Sequence, residues 1–372
     1  MNTITLSNRM ALRRFTGVKL FAGLTLLTFA GGIASAEETA TPGTIGADGT
    51  VNVPTFALPP SMYMSEEAAK VLPRKPVDME EPMYRALAAG KAGEMRKRTP
   101  EFMAPRFKHL TELYPVTMRN TTIAGVPVVY ATPVKAIPAR NKSKILIDLP
   151  GGGFVMGTAD GTGMLESIPL AVMAQVEIVS ISYRQAPEFN FPSASEDIAA
   201  VYRELLKTHK PADIGMFGCS AGGLLTAESM AWFIKEKLPL PAAIGIFCAS
   251  ADARWGGDSR AWASAIQALP ERDAPRNYFK ADDLINPLAS PVLDASLLKQ
   301  FPPTLIITAS RAMEMSAAVN THRELVKAGV DADLHMWDGL GHAFFYNIDL
   351  PESREAFEVM THFFKKHLKL EK

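Results

Sequence analysis

The sequence predicts an α/β protein built on one mostly parallel sheet with helices on both of its faces. From residue 116 onward, short apolar runs alternate with helix-like segments, as in strands joined by crossover helices. Two glycine-rich turns, at 150–154 and 218–223, each come directly after an apolar run. A chain of 372 residues is also long enough to bury a large core without disulfides.

The composition excludes several other kinds of protein. Lys and Arg total 39, Asp and Glu total 39, and 47% of the residues are hydrophobic. These values are typical of a globular protein rather than of a collagen-like, coiled-coil or low-hydrophobicity chain. Because the formal charge is zero, there is no basic pattern for nucleic acid. We therefore expect no nucleic-acid partner.

Residues 1–36 are predicted to be a cleavable signal peptide. Four basic residues precede or flank a short apolar stretch at 20–30, and Ala34, Ser35 and Ala36 form a small-residue cleavage site. The apolar stretch is shorter than the roughly 20 residues that a membrane-spanning helix needs. We therefore expect cleavage after Ala36, a periplasmic or secreted protein, and no stable membrane insertion of the mature chain.

Residues 37–115 are predicted to be an N-terminal extension that ends in short helices. Segment 39–60 is rich in Thr, Gly and Pro, which favours an extended lead, and 65–113 has a charged, helical pattern. Several prolines, Pro100 and Pro105 among them, are expected to cut this helical region into short pieces. Short helices of this kind would suit a layer that covers the main domain.

Residues 116–372 are predicted to form the main domain, which opens with a hairpin around Ala124 and Gly125. Ser193 and Glu196 have the spacing of a capping box and predict a helix start. Between 253 and 303 the strand–helix alternation breaks down, which indicates an insertion over the sheet. The strands are predicted at 116–123, 126–131, 144–149, 176–182, 214–218, 242–248, 304–308 and 332–336. Helices are predicted to begin near residues 193, 224, 317 and 351.

The turn at 218–223, GCSAGG, places a Gly-x-Ser-x-Gly motif between a predicted strand and a predicted helix. This is the pattern of a nucleophile elbow, in which two glycines allow a tight turn and the Ser220 hydroxyl projects above the sheet edge. The N-terminal amides of the next helix point toward developing negative charge. Ser220 is therefore the predicted nucleophile.

The other glycine-rich turn, PGGGF at 150–154, also follows a predicted strand. Three successive glycines let backbone N–H groups approach a ligand closely, as an oxyanion hole requires. A dinucleotide-binding turn is excluded, because its spacing needs a glycine where this chain has Met156.

The predicted general base is His342. Of the seven histidines, it alone lies in a glycine-rich loop after the final predicted strand, from which an imidazole can reach the serine. The order of Ser220 before His342, with the acid between them, is that of α/β-hydrolases and differs from those of chymotrypsin-like and subtilisin-like proteases.

Four motifs resemble the hormone-sensitive-lipase-like family of α/β-hydrolase esterases, over about 116–368. They are PGGGF, YRQAPE at 183–188, GCSAGG and GLGHAFF at 339–345. The resemblance implies an α/β-hydrolase fold with a helical cap, formed by the N-terminal helices and the 253–303 insertion. It also implies an oxyanion hole made by the amides of Gly152, Gly153 and Ala221, and no cofactor or metal.

The triad acid departs from the family pattern. Ala312 stands where that family often has an aspartate, and Glu314 is the only carboxylate on the same loop. Glu314 is therefore the predicted acid, with Asp338 and Asp283 as alternatives; simple initiation of a helix is the structural alternative for Glu314. Cys219 replaces an acid beside the serine, and the sequence leaves open whether it pairs with Cys248 or both stay as thiols.

The predicted function is a secreted serine carboxylesterase that hydrolyses short-chain or small alicyclic esters, including lactones, through an acyl-enzyme. The partner is thus a small-molecule ester, and the sequence leaves a monomer or a homodimer open. Two alternatives are a serine amidase or peptidase on the same fold and a non-catalytic ligand-binding homologue.

Overall fold

The structure is a computed structural model that describes residues 43–55, 57–71, 90–267 and 278–371, without the side chains of residues 264 and 265. The predicted signal peptide, 1–36, lies outside the described residues. So do parts of both predicted cap segments, at 72–89 and 268–277. Within the described part of the chain, no helix is long and apolar enough to cross a bilayer.

The chain divides into two compact units at Leu58 and Pro59. The described part of the first unit holds one small antiparallel hairpin, made of β1 (Thr44–Ile45) and β2 (Val51–Asn52). Both strands are exposed. This hairpin stands where the sequence predicts an extended lead.

The second unit is organised around an eight-stranded sheet in the described residues. Its spatial order is β10-β9-β8-β7-β5-β6-β4-β3, with β3 and β4 antiparallel at one edge and the other six strands parallel to one another. The predicted mostly parallel sheet and its opening hairpin are thereby confirmed. The strands are β3 (Val116–Ile123), β4 (Val126–Pro133), β5 (Ile145–Leu149), β6 (Glu177–Ile181), β7 (Ile214–Cys219), β8 (Ala243–Phe247), β9 (Thr304–Ala309) and β10 (Ala332–Trp337).

Helices cover both faces of this sheet. In β5, Ile145 and Ile147 pack into one apolar cluster and Leu146 into another, because alternate residues of a strand point to opposite faces. Helices α4 and α5 cover the first face, and α3 and α9 cover the second. The described helices are α1 (Glu66–Val71), α2 (Ala92–Leu113), α3 (Thr162–Ala174), α4 (Ser193–Leu205), α5 (Ala221–Lys235), α6 (Asp258–Gln267), α7 (Ala295–Leu298), α8 (Met315–Lys327) and α9 (Pro351–Leu368).

Two local predictions are wrong, and one helix was missed. Helix α2 runs for 22 residues through Pro100 and Pro105 instead of breaking there. Helix α3 was not predicted, since nearly all of its residues are buried and it has no polar face to give a helical period. The predicted capping box is absent: the Ser193 hydroxyl donates to the carbonyl of Asn190, and Glu196 pairs with Arg184.

The parallel strands end at the same edge of the sheet. The loops that follow β5, β7, β9 and β10 therefore lie at one edge of the sheet. In that order, these loops carry the glycine-rich turn, Ser220, Glu314 and His342. Ligands bind at this edge in open parallel sheets.

Candidate active site

Ser220 lies in a strained turn between β7 and α5. Its backbone has φ 59° and ψ −123°, and its N–H donates to the carbonyl of Phe247 at 2.8 Å. A non-glycine residue with positive φ is uncommon and marks strain that the surrounding structure has to hold. The turn is that of the predicted nucleophile elbow, with the serine at the N-terminus of a helix.

The neighbouring glycines are required by close backbone contacts. A Cβ at Gly222 would overlap the carbonyl oxygen of Leu149, and a Cβ at Gly218 would meet the same oxygen. The chain after β5 therefore passes directly against the elbow. Glycine at both positions is what allows the glycine-rich loop and the nucleophile turn to lie in contact.

The imidazole of His342 joins the serine to the acid. His342 Nε2 lies 2.9 Å from Ser220 Oγ, and His342 Nδ1 lies 2.8 Å from Glu314 Oε2. The His342 side chain is 20% exposed, whereas that of Glu314 is fully buried. Glu314 and His342 are 28 positions apart in the chain, and Ser220 and His342 are 122 positions apart. The fold thus brings three distant residues together.

Glu314 occupies the N-cap position of α8, but its side chain makes no capping hydrogen bond. Instead one carboxylate oxygen meets His342, and the other accepts a long hydrogen bond, 3.4 Å, from the Thr308 hydroxyl. The two alternative acids have other partners: Asp338 accepts from Ser61 Oγ at 2.5 Å, and Asp283 accepts from the Lys280 N–H at 2.8 Å. Among the three candidates, Glu314 is the one that reaches the imidazole.

The glycine-rich loop curls beside the serine. Gly152 and Gly153 have φ values of 143° and 63°, and a Cβ on Gly151 would lie 3.3 Å from Ser220 Cβ. The loop is held by the Thr162 hydroxyl, which donates to the Gly151 carbonyl at 2.6 Å. The predicted oxyanion-hole residues, Gly152, Gly153 and Ala221, therefore belong to the two segments that flank the serine.

Cys219 and Cys248 are both buried free thiols. Burial raises the pKa of Cys219 well above its usual value, which keeps it in the neutral, unreactive form. Cys248 Sγ accepts from the N–H of Ala343 at 3.3 Å, so it supports the histidine loop. Of the two states that the sequence left open, the structure has the thiol state.

A cavity of about 560 Å³ opens beside His342. Leu110 and Leu165 supply apolar surface, Arg106 and Asp349 supply charge, and His109 supplies a further polar group. His109 Nε2 contacts Asp349 at 2.7 Å and so ties α2 to the loop after His342. The cavity is large enough for a small organic molecule.

Sequence reasoning missed several residues around this centre. The ring centroid of Trp255, from the segment after β8, lies 6.3 Å from that of His342, and the indole is buried. Glu166 and Tyr346 lie beneath the glycine-rich loop, with the tyrosine hydroxyl 2.7 Å from Glu166 Oε1. A buried glutamate inside an otherwise apolar helix was the available signal for Glu166.

These contacts match the parts of a serine hydrolase. A serine hydroxyl, an imidazole and a buried carboxylate form one hydrogen-bonded chain beside backbone segments rich in glycine. The family model described as alpha/beta hydrolase fold matches residues 146–346. The chain belongs to the alpha/beta hydrolase fold family.

Relatives of this hydrolase-fold chain agree with the motif-based resemblance. It is 31% identical to an acetyl-hydrolase of Streptomyces hygroscopicus, in an alignment that covers 61% of this chain and 77% of that protein. The crystal structure of esterase E25 superposes with a TM-score of 0.73 at 28% identity, covering 86% of this chain and 99% of that one. The structure of a hormone-sensitive lipase from a metagenome library superposes with a TM-score of 0.63 at 25% identity, covering 74% of this chain and 97% of that one. The predicted resemblance to hormone-sensitive-lipase-like proteins is confirmed.

Proposed function

We propose that this hydrolase-fold protein is a serine carboxylesterase that acts through an acyl-enzyme. The observation that carries the proposal is the continuous contact from Ser220 Oγ through the His342 ring to buried Glu314, at 2.9 and 2.8 Å. In that geometry one imidazole nitrogen accepts the serine proton while the other donates to the carboxylate. Nucleophile, base and orienting acid are the three roles that acyl transfer requires.

In the proposed acylation step, Ser220 Oγ attacks the ester carbonyl carbon and its proton passes to His342 Nε2. The imidazolium that forms is stabilised by the Glu314 carboxylate, whose burial strengthens their attraction. The carbonyl oxygen becomes an oxyanion, held by the N–H groups of Gly152, Gly153 and Ala221. Collapse of the intermediate breaks the bond to the leaving oxygen, which takes the proton from His342.

In the proposed deacylation step, His342 acts as base again and removes a proton from water. The resulting hydroxide attacks the acyl carbon of the acylated serine, and the same amides hold the second oxyanion. Breakdown returns the proton from His342 to Ser220 Oγ and releases the carboxylic acid. Each oxyanion-hole donor is expected to contribute roughly 10² to 10³ in rate.

Small esters are the proposed substrates. The cavity that His342 lines is about 560 Å³ and has both apolar and charged lining, which fits a short acyl chain or a small alicyclic ester such as a lactone. The Streptomyces relative is named an acetyl-hydrolase, which supports a short acyl group. The structural neighbours named an esterase and a hormone-sensitive lipase support an ester rather than an amide as the substrate.

The test is covalent labelling with a fluorophosphonate, followed by mass spectrometry of the intact protein and of its peptides. We expect one adduct on Ser220, none in Ser220→Ala, and hydrolysis of p-nitrophenyl acetate by the native protein only. A folded native protein that takes no label would instead favour a non-catalytic ligand-binding role. Faster cleavage of a matched anilide than of the ester would favour an amidase.

We also propose that the protein acts in the periplasm or outside the cell. The basic, apolar and small-residue segments of residues 1–36 support export and cleavage after Ala36. N-terminal sequencing of protein recovered from a cell fraction outside the cytoplasm should then begin at Glu37. Recovery of the uncleaved chain from the cytoplasm alone would overturn this proposal.

A further inference from the structure

The glycine-rich loop has a strained backbone that needs restraint from its surroundings. Gly152, Gly153 and Phe154 have φ values of 143°, 63° and 58°, so three successive residues have positive φ. For Phe154, which carries a Cβ, this conformation is unfavourable and persists only where neighbouring groups fix it. Two of the proposed oxyanion donors belong to this stretch. The groups that fix its backbone therefore also set where those donors point.

The loop closes on itself as a tight turn. The N–H groups of Val155 and Met156 both donate to the carbonyl of Gly152, at 3.0 and 2.8 Å. The chain then returns to its starting point, because a Cβ on Gly152 would lie 2.2 Å from the backbone nitrogen of Gly157. A displacement of Val155 or Gly157 is thus passed directly to Gly152.

The segment after β6 bonds the far side of this turn. The N–H of Ala186 donates to the carbonyl of Phe154 at 2.9 Å. The Gln185 amide bonds both backbone groups of Gly157: its Oε1 accepts from the N–H at 2.9 Å, and its Nε2 donates to the carbonyl. Gln185 is 4% exposed, so water competes little for these bonds.

Arg96 holds the same turn from the N-terminal helix α2. Its Nη1 donates to the carbonyl of Val155 at 2.6 Å and to that of Ala186 at 3.1 Å. Its Nη2 contacts Glu188 Oε2 at 2.6 Å. One guanidinium thus joins the glycine-rich loop to the segment that supports it, and ties both to a helix that precedes the sheet. Hydrogen bonds from a charged donor are about twice as strong as neutral ones.

The contact with Glu188 is the weaker part of this arrangement. The Glu188 side chain is 43% exposed, whereas that of Arg96 is 17% exposed. Ion pairs that water reaches contribute little to stability. The two backbone carbonyls have fixed positions, and the rigid fork of a guanidinium can bond them and a carboxylate together. The main effect of Arg96 is therefore on the position of the loop.

We propose that Arg96 is a positioning residue for the oxyanion hole. By fixing the Val155 carbonyl, it holds Gly152 and Gly153 in the conformation that presents their N–H groups to the oxyanion. It acts through the loop and not on the reacting atoms. The catalytic part rests on the proposed esterase function, whereas the restraint on the loop backbone does not.

Hydrogen exchange measured by mass spectrometry tests the restraint without any activity measurement. The variants Arg96→Ala and Arg96→Met both remove the guanidinium, and Met keeps most of the apolar stem. The peptide that covers residues 152–157 should exchange roughly tenfold faster in both, because the turn opens more often without this donor. Glu188→Gln keeps both carbonyl contacts of Arg96 and should exchange at the native rate. Native exchange in both Arg96 variants would disprove the restraint.

Steady-state kinetics on p-nitrophenyl acetate test the catalytic part. In both Arg96 variants kcat should fall roughly tenfold with little change in KM, since misplaced oxyanion donors affect the transition state more than the bound ester. Affinity for an alkylboronic acid, which forms a tetrahedral adduct on serine, should fall in parallel with kcat. Glu188→Gln should keep kcat within about threefold of native, because the ion pair is partly exposed.

Rescue by a small cation separates a lost contact from general damage. Arg96 lines a cavity of about 750 Å³, so a small cation can enter the space that Arg96→Ala leaves. Millimolar ethylguanidinium should raise kcat severalfold in Arg96→Ala but not in Arg96→Met, whose side chain fills that space. Equal effects of ethylguanidinium and of sodium chloride on Arg96→Ala would overturn the positioning role.

The remaining outcomes separate the parts of the proposal. If the Arg96 variants exchange faster but keep native kcat and boronic-acid affinity, the loop is restrained and the catalytic role is wrong. If Glu188→Gln is as impaired as Arg96→Met, the ion pair matters instead of the loop contact. A native protein that is inactive on esters would contradict the proposed function, while exchange would still decide whether Arg96 restrains the loop.

Discussion

The Nδ1 atom of His342 lies 2.8 Å from Oε2 of Glu314, a carboxylate with no exposed surface. The contact fixes which imidazole nitrogen carries the proton, so that Nε2 is free to accept from Ser220 Oγ at 2.9 Å. A glutamate at the start of α8 therefore lies where the proposed triad needs its orienting acid, although its loop lacks the aspartate expected from the resemblance.

Glu314→Gln is expected to lower kcat by about 10⁴, the loss seen in a serine protease when its triad acid becomes an amide. The amide would donate to Nδ1 and force the wrong tautomer of His342. Steady-state kinetics on p-nitrophenyl acetate measure the effect. Asp338→Asn is the control and should change kcat less than about threefold, because Asp338 bonds Ser61 and not the imidazole. Equal losses in the two variants would remove Glu314 from the triad.

Gly222→Ala is expected to prevent accumulation of soluble, folded protein. Its Cβ would overlap the carbonyl oxygen of Leu149, which belongs to the buried central strand β5 and cannot move away cheaply. Gly256→Ala is the matched control: a Cβ there meets nothing within 4 Å. Soluble yield and melting temperature should be native for Gly256→Ala. A native melting temperature for Gly222→Ala would contradict the tight contact.

The two cysteines are expected to react as thiols, and only after unfolding. Both are buried and unpaired, so iodoacetamide should leave the native protein unmodified. In denaturant, without any reductant, the same reagent should add two groups, counted by intact mass. Two added groups only after reduction would show a disulfide between Cys219 and Cys248.

Leu110→Trp is expected to lower the preference for longer acyl chains, because Leu110 is 3% exposed and lines the cavity beside His342. The ratio of kcat/KM for p-nitrophenyl hexanoate to that for the acetate should fall severalfold. Leu113→Trp, on the same helix but 50% exposed and outside the cavity lining, is the control. Equal ratios in both variants would show that the acyl chain does not enter this cavity.

Protein stability is expected to fall as pH rises from about 4 toward 7 on account of Asp148. Its pKa is raised by burial to about 7 in the folded chain, so over this range the folded state binds more protons than the unfolded state, and the free energy of unfolding decreases. The slope approaches about 1.4 kcal/mol per pH unit for one proton. Urea unfolding at several pH values should show a slope that is shallower by about this amount in Asp148→Asn than in the native protein, while Glu166 and Glu228, whose pKa values burial also raises, contribute to the slope in both. If the free energy of unfolding changed equally with pH in the native protein and the variant, the titrating group would not be Asp148.

The sequence was sufficient to predict the parts of the molecule that local chemistry dictates. Short apolar runs identified the parallel strands, because strands buried on both faces need apolar residues throughout. The glycines at 218 and 222 identified the elbow, since backbone contact there leaves no room for a side chain. Helix α3 escaped prediction because burial on almost every side removes the period that marks an amphipathic helix.

By itself, the sequence therefore determined the α/β class, the order of nucleophile before base, and the family resemblance. Only the tertiary structure decided that Glu314, rather than Asp338 or Asp283, meets His342, and that Glu166 lies beneath the glycine-rich loop. The reason is physical: hydrogen bonds between side chains 28 to 180 residues apart depend on how strands align in the sheet. Local sequence patterns indicate a residue's own backbone conformation and burial. They do not indicate which distant residue the fold brings within 3 Å of it.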